Sequence, residues 1–126
     1  MSFTNAAETL VLQWLLTAGA PTRPTAWYVG LFTDAPTEAG TGTEIAVAGY
    51  ARMPITLTVT GNTASNSASI EFAAATATWG SITHAAVFDS LSGGTMIAYG
   101  ALTAAKTIDT GDIIRIPAAS FNVTLD

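Results

Sequence analysis

The period of the hydrophobic pattern changes once along the chain. Leu10 and Trp14, flanked by Ala7, Val11 and Leu15, recur at the spacing of one helical face. Asn5-Ala6-Ala7-Glu8 reads as a capping box, with the Asn5 side chain accepting from the Glu8 backbone N–H and Glu8 reaching back. Gly19 offers a left-handed C-terminal cap, and Pro21 blocks continuation. The expected helix therefore spans Asn5–Ala18. Leu12 and Leu16 widen its apolar face well beyond a narrow stripe, so it needs cover on more than one side. The body of the domain supplies one cover and another subunit the other. Leu12, Trp14 and Leu16 are the candidate subunit contacts.

Past Pro21-Thr22-Arg23-Pro24 the period becomes two. Ala26–Thr33 is rich in aromatic and β-branched residues and stops at Asp34-Ala35-Pro36. Ile55, Leu57 and Val59 alternate with Thr56, Thr58 and Thr60, the in-out pattern of a half-buried antiparallel strand. Ile70 and Phe72 alternate around Glu71. Ile82–Asp89 and Thr95–Leu102 are joined by Ser90-Leu91-Ser92-Gly93-Gly94, a hairpin loop with glycines for positive φ. Ile113–Ile116 follows the Asp109-Thr110-Gly111-Asp112 turn, and Phe121, Val123 and Leu125 alternate to the end. Asp34–Gly42 reads as an exposed loop and Gly61–Ser69 as a hairpin connection. The spacing predicts about seven or eight short strands. The expected fold is mainly β: an antiparallel, jelly-roll-like β-sandwich over residues 26–126, with one N-terminal α-helix, all in a single domain of residues 1–126.

Composition narrows the function classes. The chain has 126 residues, is 49% hydrophobic and only 10% charged, and carries a formal charge of −5. Disorder requires the opposite balance. Four Lys+Arg against nine Asp+Glu leave no basic surface for phosphates, so no nucleic-acid partner is expected. Leu10–Ala18, the longest apolar stretch, is interrupted by Gln13 and Thr17 and is about half the ~20 residues of a membrane span. No membrane partner is expected. The start, Met1-Ser2-Phe3-Thr4-Asn5, lacks the positive charge of a secretory signal. Zero cysteines exclude disulfides and thiolate metal sites. The abundant Ala, Thr, Ser and Gly bury little area per residue, so burial against copies of itself would add stability.

Candidate chemistry is sparse. His84 is the only histidine and lies in an expected strand, which reads as a hydrogen-bonded or surface position. No Ser lies in a Gly-x-Ser-x-Gly elbow. Asp34, Glu38 and Glu44 fall in one loop region, and Asp109 and Asp112 bracket a glycine turn. Both groups read as turn formers or solvated charges, with calcium as the alternative. Asn122-Val123-Thr124 is a formal glycosylation sequon. Among the aromatics, Trp27 and Trp79 are candidates for stacking on sugar rings, against the plainer reading that both are core. Arg52 and Arg23 read as anchors of a turn or an interface. No catalytic residue, metal or cofactor is expected.

The order of blocks is informative beyond composition. Trp14-Leu15-Leu16 is followed by Arg23-Pro24-Thr25-Ala26-Trp27-Tyr28-Val29-Gly30-Leu31-Phe32-Thr33 and then Gly49-Tyr50-Ala51-Arg52. Ala77-Thr78-Trp79-Gly80, Ile82-Thr83-His84, Val87-Phe88-Asp89 and Gly100-Ala101-Leu102-Thr103 come next, and the chain ends in Val123-Thr124-Leu125-Asp126. This resembles a family of small tailed-bacteriophage virion proteins usually labelled tail fibre proteins. The resemblance implies a non-enzymatic structural protein of the tail fibre or tail tip, with itself and other virion proteins as partners. It implies location in the virion after assembly in the host bacterial cytoplasm. Related small β proteins serve as capsid decorations, which is the alternative, and a module binding host-surface carbohydrate is a second one.

Overall fold

The structure is a computed structural model and describes residues 1–125. In chain order its elements are β1 (Ser2–Phe3), α1 (Asn5–Leu16), β2 (Tyr28–Phe32), β3 (Met53–Pro54), β4 (Leu57–Thr60), β5 (Thr63–Asn66), β6 (Ile70–Glu71), β7 (Gly80–Phe88), β8 (Met96–Ile108), β9 (Arg115–Ile116) and β10 (Asn122–Thr124). Every pairing is antiparallel. The sheets run β1-β8-β7-β2-β3, β10-β5-β4 and β6-β9. The fold is thus mainly β with one helix, as the alternation predicts. The ten strands among the described residues exceed the seven or eight expected: β1 and β3, two residues each, are too short for a period to register, and β5 lies in a small, polar stretch.

Strand β2 shows how sequence becomes a central strand. It pairs β7 from Tyr28↔Phe88 to Phe32↔His84 and β3 at Tyr28↔Pro54 and Val29↔Met53. Val29 and Leu31 are fully buried in the main core, with Ile82, Val87, Phe72 and Val123. Phe32 packs instead with Ala86, Phe88 and Met96 in a second cluster. Successive side chains of a strand point to opposite faces, so the large sheet is apolar on both. One face is covered by the smaller sheets in a sandwich-like arrangement. The other carries the second cluster beside the 33–44 segment, where Gly40 and Gly42 approach Met96 and Phe32.

Four local expectations are corrected. The helix is capped by Thr4, not Asn5: the Thr4 hydroxyl accepts from Ala7 N and donates to Met96 O at 2.6 Å, which buries it against β8. The helix ends at Leu16, with Thr17 extended as its C-cap, and Gly19 has no positive φ. The Gly61–Ser69 stretch is not all connection. Only a tight turn around Gly61 (φ 62) and Asn62 separates β4 from β5. Buried Asn66 then anchors β5 by donating to Ala68 O and Pro117 O and accepting from Phe121 N. Finally, Val59 is 72% exposed, so β4 does not bury its apolar face to the end.

Candidate functional site

Helix α1 is fixed at one end only. Ala7 is its single buried residue, and Leu10 and Val11 are half-buried. Every residue from Leu12 to Ala20 is exposed. Leu12 is 55%, Trp14 68%, Leu15 63% and Leu16 74% exposed, on consecutive turns of a segment that has no ionisable residue between Glu8 and Arg23. The structure leaves the three predicted contact residues, Leu12, Trp14 and Leu16, exposed in the last turns of the helix, its tip. Leu15, which the sequence pattern grouped with Trp14, is exposed as well. Leu12, Leu15 and Leu16 are neighbours at helical spacing, while Trp14, two residues from both Leu12 and Leu16, faces the other way, toward the 21–27 segment.

Two hollows lie beside the tip. A cleft of about 370 Å³ separates α1 from the 21–27 segment and is lined by Leu10, Val11, Trp14, Pro21, Pro24 and Trp27, among others. A slot of about 490 Å³ opens where the large sheet and the β10-β5-β4 sheet splay apart, between Trp27 and Val87 on one side and Leu57, Val59, Val123 and Leu125 on the other. The hollows share Phe3, Trp27 and Ile97, so they form one trough. Sequence alternation marked Val59 and Leu125 as apolar but could not show that the sheets diverge there.

The buried arginine and several of the carboxylates are engaged within the fold. Arg52 is 8% exposed and forms a bidentate pair with Glu44, Nε and Nη2 each donating at 2.8 Å. Arg52 Nη1 donates to Ser90 O and Gly93 O, and its guanidinium lies 3.4 Å from the Phe88 ring centroid. Tyr50 donates to Glu44 at 2.7 Å and accepts from Leu31 N. Burial pushes the Tyr50 hydroxyl well above its ordinary range, and its bond to Glu44 adds to the shift. Arg52 is thus the turn anchor expected of it, tying the β7–β8 loop to the sheet. Asp34 accepts from the Thr43 backbone and hydroxyl, which hold its carboxyl below the usual range. Asp112 caps its own turn by accepting from Asp109 N. Among the described residues, no group of three His, Cys, Asp or Glu could hold a metal ion. His84 Nδ1 pairs with the neighbouring Thr83 hydroxyl at 2.8 Å.

The expected stacking surface is corrected in part. Trp79 is 4% exposed and packs edge-on against Tyr50 and Phe72, with centroids at 5.4 Å and 6.5 Å. Neither of its faces is open to a sugar ring. Trp27 is half-buried and lines the trough, so the structure does not bring the two indoles into one platform.

A family model described as "Podophage GP4 fiber I protein gp80" matches residues 2–124. No curated protein matches the chain. The match spans nearly the whole sequence, and the chain belongs to this bacteriophage fibre family.

Proposed function

We propose that this member of the podophage fiber I family is a non-enzymatic structural component of the phage fibre that assembles through subunit contacts, with Leu12, Trp14 and Leu16 at the contact. The observation that carries the reading is the protruding, uncharged helix tip, four large apolar side chains each more than half exposed. Leaving such a patch in water costs on the order of 25 cal/mol per Å², so a partner that covers it gains that much. Sparse charge makes such a contact insensitive to ionic strength. The partners are copies of this chain and neighbouring virion proteins, brought together in the host bacterial cytoplasm.

The test is location on the particle. Gold-labelled antibody against the chain is expected to mark the fibres of intact virions. Label spread evenly over the capsid shell would instead support the decoration role. Binding of host-surface glycan has less support, because Trp79 is enclosed by the core.

A further inference from the structure

Residues 9–26, most of α1 and the return to β2, form one excursion from the β body. It is secured where it starts: Thr4 is buried and donates to Met96 O, and Asn5 N donates to Glu38 O. It is secured again where it ends, since Trp27 O accepts from Ile55 N. Between these points no hydrogen bond joins residues 9–26 to the described part of the body. The Thr9 and Thr17 hydroxyls donate back into the helix, to Asn5 O and Gln13 O, and Gly19 N donates to Thr17. Arg23, the one ionisable residue of the stretch, forms no ion pair with a described residue. None of residues 9–26 is buried. The stretch is also undercut. A hollow of about 270 Å³ separates Thr22, Arg23 and Pro24 from Asp89 and Thr95, in addition to the cleft beside Trp14.

We propose that residues 9–26 are a hinged strap that lifts from the domain as one unit while the β-sheets stay folded. A helix of twelve residues is marginal on its own in water, so α1 depends on what it packs against. That packing is thin, because Leu10, Val11, Pro21 and Pro24 are only half-buried. Segments with few buried contacts open at far lower free energy than a core. No bond to the body has to break when the strap lifts, and the bonds at Thr4 and Trp27 hold its two pivots. The body is built differently. Strand β7 is paired by β2 on one side and β8 on the other, and its Ala85 and Ala86 are fully buried. Once lifted, α1 loses its packing and melts. Lifting also uncovers Phe3, Trp27 and Ile97, the wall that the cleft shares with the slot. The strap is therefore a gate on the trough. This is a property of the single chain and does not depend on what covers the tip.

The experiment is amide hydrogen exchange of the full chain, dilute and under native conditions, read residue by residue by NMR. The helix amides from Val11 to Leu16 are expected to exchange roughly 100-fold or more faster than those of Ala85, Ala86 and Val87. They are expected to share one rate, and that rate should stay nearly flat in low urea. The β7 rates should climb with urea at the slope of global unfolding. Leu10 lines both hollows, so Leu10→Ala should speed the helix amides by roughly 10-fold and leave the β7 rates unchanged. Helix amides as slow as those of β7, or with the same urea slope, would overturn the strap, because the stretch would then open only with the whole domain. Rates that fall off turn by turn from Leu16 back to Val11 would overturn it too, as fraying of a helix that never lifts. So would a Leu10→Ala variant that speeds both sets equally. The urea series uses the wild-type chain and decides the matter even if that variant does not fold.

Discussion

Arg52 holds both carboxylate oxygens of Glu44 at 2.8 Å while its remaining nitrogen takes the Ser90 and Gly93 carbonyls. It is the one ion pair between side chains among the described residues, and it links the 33–52 region to the β7–β8 loop. Removing one member of a buried pair leaves the other charge uncompensated. Arg52→Ala is therefore expected to destabilise the domain by about 3–5 kcal/mol in denaturant titration. Arg52→Lys should recover little of that loss, since an ammonium cannot reproduce the bidentate fork or its stacking on Phe88. A melting curve for Arg52→Ala matching wild type would refute the anchoring role.

Gly30 is the residue that lets this pair sit against the sheet. A Cβ there would lie 2.7 Å from Glu44 Oε2 and 3.0 Å from Phe88 Cε2. Both neighbours are themselves held, one by Arg52 and one beneath it, so neither has an easy retreat. Gly30→Ala is expected to cost about 1–3 kcal/mol by overpacking, read as a lowered midpoint with an unchanged denaturant slope.

Tyr50 makes stability fall at alkaline pH. Its hydroxyl is raised above the ordinary value of 10.0 by burial and by its bond to Glu44. Above pH ~10 the unfolded chain releases this proton while the folded chain keeps it, so the unfolded state binds fewer protons and stability declines as pH rises. Below that pH the contribution is fully present. Tyr50→Phe should flatten the decline between pH 10 and 11 relative to wild type, whatever it does to stability at pH 7. An equally steep alkaline slope in the variant would show that other groups set it.

The three tryptophans report separately on core and contact. Trp79 is enclosed, and Trp14 is 68% exposed in the single chain. As protein is diluted through its association range, emission should shift red and become quenchable by acrylamide. Trp14→Phe should diminish that change, with Trp27 beside it supplying the remainder, and Trp79→Phe should leave it. An undiminished shift in Trp14→Phe would mean the tip is not what association covers.

How much of this was legible beforehand varies by element, for physical reasons. Strand β10 follows from alternation, whereas β2 and β7 follow from runs rich in apolar residues, since both faces of the large sheet are covered there. The helix was legible in place but not at its ends. A local capping pattern pointed to Asn5, whereas the long-range Met96 carbonyl gave Thr4 its partners. Strand β5 escaped notice because Thr63–Asn66 is small and polar. It is a strand through its neighbours β4 and β10 and through the three bonds of Asn66, which no periodicity encodes. The excess breadth of the helix's apolar face pointed to Leu12 and Leu16 as positions the domain would not cover, and both are exposed, as is Trp14. The slot remained hidden, because it depends on how two sheets diverge at Val59 and Leu125.

The most direct test of the contact role is a high-resolution electron cryomicroscopy map of the intact fibre. The account predicts this β domain within the fibre, with Leu12, Trp14 and Leu16 packed against a neighbouring subunit. A map in which the helix tip of every copy faces solvent, or in which the domain sits on the capsid shell, would contradict it.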